Sequence, residues 1–361
     1  MENLDMTSLI DLSFWQSKKV LVTGHSGFKG WWLSQWLTLL GAQVYGISKE
    51  PSSEYLNRPF LLEDDIFKKI LIADIGEKSR IQEFVLEVDP EIVFHLAAQP
   101  SVLEGYRVPF QTMETNFLGT ANLIMILREN VPKANVIVIT TDKVYRNDSS
   151  SLPFIETDEL ALNGDPYSAS KALGDLFASN FEFPNIRNQL MGKILIARAG
   201  NVIGGGDWLP DRLIPDCIKA VYSGKNLALR SPGSTRPWQN ILDVIHGYIL
   251  LAQSVMNTNI PSRSAFNFGP TEYASVDSKT LCELFLKNFI DKPDIVITNP
   301  MFQEHASLSL NSSKSNEELG WRPKLDIYQS LKLTADWYQA TLSGASAKTI
   351  TISQINWFML E

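Results

Sequence analysis

The run Val20-Leu21-Val22-Thr23-Gly24-His25-Ser26-Gly27-Phe28-Lys29-Gly30 confines the chain to few folds. An apolar, β-branched segment enters a turn of three glycines and leaves with the pattern of a helix. Glycine admits positive φ and close backbone approach, and the free N–H groups of a helix N-terminus attract phosphate. Glycine spacing alone is weak evidence. Its force comes from the frame, because Trp32, Leu33, Trp36, Leu37 and Leu40 follow at helical spacing. Gly24, Ser26, Gly27, Phe28, Lys29 and Gly30 are therefore candidate residues for holding a dinucleotide pyrophosphate.

The frame repeats. Lys19 to Thr23, Gln43 to Ile47, Ile70 to Ala73, Ile92 to Leu96, Asn135 to Thr140 and Lys193 to Ala197 read as strands separated by helical patterns, such as Phe117, Ala121, Ile124 and Leu127. This alternation predicts an α/β fold with a doubly wound parallel sheet and right-handed crossovers. After Ala199 glycine, proline, aspartate, arginine and tryptophan mix without period, as expected of a smaller, loop-rich substrate lobe. The apolar run Ala265 to Gly269 predicts a return to the sheet. The expected division is a dinucleotide-binding domain over 1–199 and a substrate lobe over 200–361, with the return near 241–270. The Ser/Ala-rich stretch Leu342 to Lys348 reads as loosely held.

Composition removes several classes of function. A formal charge of -8 with no basic cluster argues against nucleic acid. Cys217 and Cys282 have neither CxxC spacing nor a histidine cluster nearby, so they read as buried spectators and no metal site is expected. Residues 1–17 carry Glu2, Asp5 and Asp11 without a basic start and apolar run, and no stretch reaches membrane-spanning length. A cytoplasmic protein with no membrane partner is the expectation.

A tyrosine four residues before a lysine shares a helix face with it, and a nearby ammonium favours the phenolate needed to remove a hydroxyl proton. Three pairs satisfy the spacing: Tyr45 with Lys49, Tyr167 with Lys171, and Tyr328 with Lys332. In a strand, residues four apart are separated by about 13 Å, which removes Tyr45. Tyr328 lies beyond the sheet. Tyr167 follows Asp165-Pro166, a helix-start signal, and comes after the fifth strand. Tyr167 and Lys171 are the candidate catalytic pair.

The stretch Asp165-Pro166-Tyr167-Ser168-Ala169-Ser170-Lys171, with the Gly-x-x-Gly-x-x-Gly turn, closely resembles the extended short-chain dehydrogenase/reductase family. His95-Leu96-Ala97-Ala98-Gln99-Pro100 and Thr115-Asn116 match further family motifs. The resemblance implies cofactor contacts from Leu96, Ala97, Ala98, Gln99, Asn116 and Thr140, and an adenine-contacting pair at Asp74 and Ile75. Ser48 and Lys49 stand where NAD enzymes commonly place a carboxylate, yet the resemblance still implies NAD. It also implies a homodimer, or a tetramer, built on the helices starting near Asn116 and Tyr167.

Among members of the family, Thr140-Thr141-Asp142-Lys143-Val144-Tyr145 is similar to the CDP-glucose 4,6-dehydratases. Their chemistry, C4 oxidation followed by loss of water across C5 and C6, needs an acid at the C6 hydroxyl and a base for the C5 proton. Asp142 suits the first task, Lys143 the second if its pKa is lowered, and Thr141 completes the catalytic set with Tyr167 and Lys171. The segments Arg198 to Trp208, Asp211 to Asp216 and Arg236 to Gln239 resemble the nucleotide-sugar loops. Gln99, Asn201, Arg212, Leu213, Pro215, Arg236 and Gln239 are thereby candidate contacts for CDP-glucose, with Arg212 and Arg236 suited to clamping a pyrophosphate. Leu103 or Glu104, Arg146 and Asn240 depart from the pattern. A related epimerase or dehydratase for another base or sugar, and a non-catalytic nucleotide-sugar or NAD binder, remain the alternatives.

Overall fold

The computed structural model describes residues 10–50, 64–147, 152–162, 164–181, 191–270, 275–298 and 308–361. Seven strands form the main sheet: β1 (Lys19–Thr23), β2 (Gln43–Ser48), β3 (Phe67–Ile72), β4 (Ile92–His95), β5 (Asn135–Thr141), β6 (Ile194–Ala199) and β7 (Ala265–Phe268). Their order is β7-β6-β5-β4-β1-β2-β3 and every pairing is parallel. The expected doubly wound architecture is therefore the observed one.

Strand periodicity sorts the core into two layers. Val20 and Val22 of β1, with Ile137 and Ile139 of β5, face one side. Leu21, Val136 and Val138 face the other. The first layer packs on helix α1 (Phe28–Leu39), the second on α2 (Lys78–Val88), α3 (Gly119–Asn130) and α4 (Pro166–Asn180). The first layer also includes α5 (Ile241–Gln253), all but its last residue buried, and two terminal helices, α6 (Ile327–Leu342) and α7 (Ala347–Leu360).

Three features differ from the sequence reading. The third strand begins at Phe67 and ends at Ile72, because an edge strand tolerates the exposed Lys68 and Lys69 that hid it. The Leu342 to Lys348 stretch is the turn between α6 and α7. Ser346 caps α7 by accepting the Thr349 N–H, and Ala347 is fully buried. Helix α1 is buried nearly all round instead of along one stripe: Trp36 meets the α7 residue Phe358 edge-on at 5.6 Å and stacks on His246 at 6.2 Å. A helix covered on both sides needs no polar face.

Among the described residues, no helix is long and apolar enough to cross a membrane. Cys217 and Cys282 are both buried and form no disulfide; the Cys217 thiol donates to Cys282 Sγ at 3.5 Å.

Candidate functional site

Strand order reverses between β1 and β4, and in such sheets a crevice opens beyond the carboxyl ends of the strands. A cleft of about 490 Å³ occupies that position. Gly24, Ser26, Gly27, Phe28, Lys29 and Gly30 all line it, with Ser48, Ile75, Leu96, Ala97, Ala98, Gln99, Thr140, Tyr167, Lys171 and Arg212. Residues spread over nearly 190 positions thus meet around one space.

The glycine turn is built for close backbone approach. Gly24 has φ +72°, and a Cβ there would lie 2.8 Å from the Ala97 nitrogen. A Cβ on Gly30 would lie 2.2 Å from the Gly24 carbonyl oxygen. Gly27 caps α1 without a side chain, so the first N–H groups of the helix stay uncovered. This cradle and the cleft volume fit a dinucleotide.

At the rim, the Ser26 and Ser48 hydroxyls are 2.5 Å apart. Lys49 reaches Asp74 at 2.5 Å. Burial pushes the Asp74 carboxyl up, but the Lys49 ammonium and the Gly76 N–H outweigh it and hold the pKa low. The lysine charge is thus engaged by a carboxylate and is not presented alone to a ribose phosphate. Asp74→Ala should release it and raise affinity for a 2′-phosphorylated dinucleotide about tenfold relative to NAD, measurable by titrating both cofactors.

Behind Gln99, Asn116 closes a two-way bridge: its Oδ1 accepts the Gln99 N–H at 2.7 Å and its Nδ2 donates to the Gln99 carbonyl at 3.0 Å. The same Nδ2 donates to Ser170 Oγ at 2.9 Å. Asn116 sits in a π-helical turn, Glu114–Leu118, a local distortion frequent at functional sites. It supports the cleft wall from behind and does not line it.

Asp165 caps α4 by accepting the Ser168 N–H at 2.8 Å, and Pro166 occupies the first turn. The helix so placed presents Tyr167 and Lys171 to the cleft together. Lys171 Nζ donates to the Ile139 carbonyl at 3.1 Å, and burial pushes its pKa down to about 8 against the pull of Asp175. Tyr167 does not show the lowered pKa expected from its lysine. Burial pushes it up to about 12, and the groups that offset this are Arg212 and the Thr141 hydroxyl.

Strand β5 ends at Thr141 and turns into a short 3-10 helix, Asp142–Val144. Thr141 Oγ1 donates to Asp142 Oδ1 at 2.9 Å and accepts the Lys143 N–H at 3.4 Å. Asp142 is buried, and its Oδ2 has no hydrogen-bond partner among the described residues. Burial raises its pKa, opposed by Lys143, the Thr141 hydroxyl, Arg236 and Lys29. A buried carboxyl with one bare oxygen and a raised pKa is suited to hold and deliver a proton. Lys29 feels the same surroundings: burial, then the charges of Arg212 and Lys171, push it down to about 7.

The two expected clamp arginines are placed differently. Arg212 donates to Asp207 Oδ2 at 2.8 Å and joins the cleft lining beside Tyr167. Arg236 is buried near Asp142 and donates to the Thr235 carbonyl at 2.9 Å. Leu213 and the buried Pro215 follow Arg212 in the first turn of the helix Leu213–Ser223. The Asn201 carbonyl accepts the Gln239 N–H at 3.0 Å, and Gln239 Nε2 donates to the Phe268 carbonyl at 2.8 Å. Asp74, Thr141, Asp142, Lys143, Asn201, Arg236 and Gln239 do not line the cleft; the last three gather around the segment between β6 and α5.

Of the departing positions, Glu104 lines the cleft, Arg146 pairs with Glu159 at 3.0 Å on the surface, and Asn240 caps α5. Sequence reasoning missed Gln111 and Leu209 in the lining and Asp207 behind Arg212. Gln111 comes from the helix Pro109–Met113, whereas Asp207 lies in the Arg198 to Trp208 segment already singled out and Leu209, whose N–H donates to Asp207 Oδ1 at 3.2 Å, directly follows it.

A sequence profile of the GDP-mannose 4,6 dehydratase family matches residues 21–334. The chain is 35% identical to the CDP-glucose 4,6-dehydratase of Salmonella typhimurium, covering 97% of this chain and 99% of that protein. Among solved structures, the dTDP-glucose 4,6-dehydratase of Bacillus anthracis in complex with NAD has a TM-score of 0.73 at 21% identity, covering 92% of this chain and 99% of the other. The UDP-glucose 4-epimerase of Thermotoga maritima with UDP-glucose has a TM-score of 0.75 at 23% identity, covering 90% and 99%.

Proposed function

This chain belongs to the GDP-mannose 4,6-dehydratase family of extended short-chain dehydrogenases/reductases, and from that premise we propose that it is an NAD-dependent CDP-glucose 4,6-dehydratase. The observation that carries the reading is the buried Asp142, with one bare carboxylate oxygen, held through its other oxygen by the Thr141 hydroxyl at the end of β5. An epimerase needs no acid for a departing hydroxyl.

The glycine turn, Ser48 and the Leu96 to Gln99 segment would hold NAD, with Asp74 and Ile75 toward its adenine and Asn116 and Thr140 supporting the wall. Bound there, NAD supplies the capacity to take the C4 hydrogen with its electron pair and return them at C6. The protein's own residues handle protons and placement. Tyr167, beside Lys171, takes the C4 hydroxyl proton. Asp142 protonates the C6 oxygen as it leaves, and Lys143 takes the C5 proton and returns it. Arg212, Leu213, Pro215, Asn201, Arg236 and Gln239 belong to the nucleotide-sugar side, with residues 1–199 devoted to the dinucleotide and 200–361 mainly to the substrate, apart from the return to the sheet near 241–270.

The assay is conversion of CDP-glucose to a product lighter by one water, carrying a C4 ketone and a C6 methyl. Stoichiometric release of reduced cofactor with an oxidised but intact sugar would instead identify a simple dehydrogenase, and inversion at C4 an epimerase. Arg236→Ala should weaken CDP-glucose binding by about 2 to 3 kcal/mol, roughly 30- to 150-fold in Kd, by removing a charge-assisted contact to phosphate. Calorimetry showing parental affinity would take Arg236 out of the site.

A cytoplasmic homodimer belongs to the same reading. Phe110, Leu118 and Leu176 expose apolar side chains on the segments around Asn116 and on α4, the faces on which the pairing is placed. Sedimentation of Leu118→Asp tests it, a shift to monomer being expected.

A further inference from the structure

A residue with a Cβ seldom adopts the left-handed backbone, because the Cβ crowds the following carbonyl oxygen. Among the described residues four non-glycines do so: Ser17, Asp89, Asp211 and Arg263. Of these, Asp211 alone is next to a residue that lines the cleft, Arg212. With φ +62° it stands just before Arg212, the N-cap of the helix Leu213–Ser223. Such a conformation persists where the surroundings over-determine it, and here Arg230 does so. Arg230 Nη1 donates to Asp211 Oδ1 at 2.7 Å and its Nη2 to the Asp211 carbonyl at 3.5 Å. One guanidinium thus holds the side chain and the backbone of the same residue, a geometry that its planar fork provides. Arg230 is itself placed by the strand Leu227–Leu229, whose two end residues are buried in the first core layer.

The turn so fixed decides where Arg212 goes. Arg212 Nη1 donates to Asp207 Oδ2 at 2.8 Å, and its Nη2 donates to the Pro100 carbonyl at 3.4 Å, 112 positions away. Pro100 lines the cleft beside Gln99, so Arg212 reaches across from the substrate lobe to the dinucleotide domain. Were Asp211 to relax to a negative φ, the peptide entering Arg212 would rotate and carry the guanidinium away from both partners. Charge adds to the demand for Arg230. Burial pushes the nearby Asp216 carboxyl up to about 6, with Lys219 and Arg230 opposing and the Asp211 charge adding to the rise. Without Arg230, two carboxylates of one turn would repel each other with one cation fewer between them.

We propose that Arg230 is a positioning residue for the substrate: it holds Asp211 in the left-handed conformation that aims Arg212 across the cleft at the diphosphate of the nucleotide sugar. The inference rests on the CDP-glucose reading. Arg230 is outside the cleft lining and acts through Asp211 and Arg212.

The test separates backbone conformation from charge. Asp211→Ala and Asp211→Gly both remove the carboxylate that Arg230 holds, yet only glycine takes a positive φ without steric cost. The Arg230 and Asp211 side chains are 34% and 29% exposed, so these changes leave the core closed. In the full chain with NAD present, calorimetry with CDP-glucose should show Arg230→Met and Asp211→Ala each weakened roughly tenfold, the usual bias against a left-handed residue that carries a Cβ. Asp211→Gly should stay within about threefold of the parental affinity. The double variant Arg230→Met/Asp211→Gly should bind like Asp211→Gly, because a glycine turn no longer needs the guanidinium. Steady-state turnover should place the loss in KM, with kcat near parental and NAD affinity unchanged, since Arg212 is aimed at the diphosphate and not at the reacting carbons. Equal weakening in the alanine and glycine variants, or a double variant as weak as Arg230→Met, would show that charge at these positions meets the substrate directly. Either result, or parental affinity in Arg230→Met or Asp211→Ala, overturns the positioning role and leaves the dehydratase reading standing. A parental protein that neither binds nor converts CDP-glucose overturns the reading and the positioning role together.

Discussion

Asp142→Asn is expected to lower formation of the 4-keto-6-deoxy sugar by roughly 10²- to 10⁴-fold, the usual contribution of a positioned acid. The amide keeps the size of the side chain and an oxygen able to accept the Thr141 hydrogen bond, so the turn after β5 should hold. What it loses is the proton. Rapid quench and mass spectrometry should find elimination, not substrate binding, as the damaged step, and equilibrium affinity for CDP-glucose should stay within a few-fold of parental. A variant that eliminates water at the parental rate would remove Asp142 from the reaction. Lys143→Met should spare binding in the same way and suppress incorporation of solvent deuterium at C5.

The largest expected effect on stability lies one layer behind the site. Asp175 on α4 accepts two hydrogen bonds from Arg198 on β6, Nε to Oδ2 at 2.9 Å and Nη2 to Oδ1 at 2.7 Å. It also accepts the Thr140 hydroxyl at 2.9 Å, which ties the end of β5 to both elements. The two side chains are 4% and 0% exposed, so Asp175→Ala would strand a guanidinium in the interior. Breaking such a pair costs about 3 to 5 kcal/mol. Denaturant unfolding should show that loss in Asp175→Ala, and the double variant Asp175→Ala/Arg198→Met should recover part of it by removing the orphaned charge. A loss below about 1 kcal/mol in the single variant would mean that Arg198 finds other partners, with the Tyr145 hydroxyl at 2.9 Å and the Glu156 carbonyl at 3.1 Å the available ones.

Much of this protein was legible residue by residue. The glycine turn, the alternation of strand and helix, and the choice of Tyr167 over Tyr45 and Tyr328 depend on spacing and neighbours within a few positions. In the structure Tyr45 is on β2, while Tyr328 is exposed on α6, where Lys332 pairs with Asp336 at 2.8 Å. The third strand and the final helix were harder. The former carries lysines because it is an edge, and the latter follows a Ser/Ala-rich turn that carries no apolar period of its own.

The sequence by itself determined the sheet, its crevice and which residues carry ionisable chemistry there, because helix and strand periods and glycine turns are properties of consecutive residues. Only the tertiary structure decided how those residues are coupled. It placed Arg212 against Asp207 in the cleft and Arg236 near Asp142, set Lys49 on Asp74, and pushed Tyr167 up where a neighbouring lysine alone would have drawn it down. It also brought Tyr167 within the electrostatic reach of Asp142, which lies 25 positions before it along the chain. Desolvation and hydrogen-bond direction depend on which distant segments pack together, and no local pattern in the chain records them.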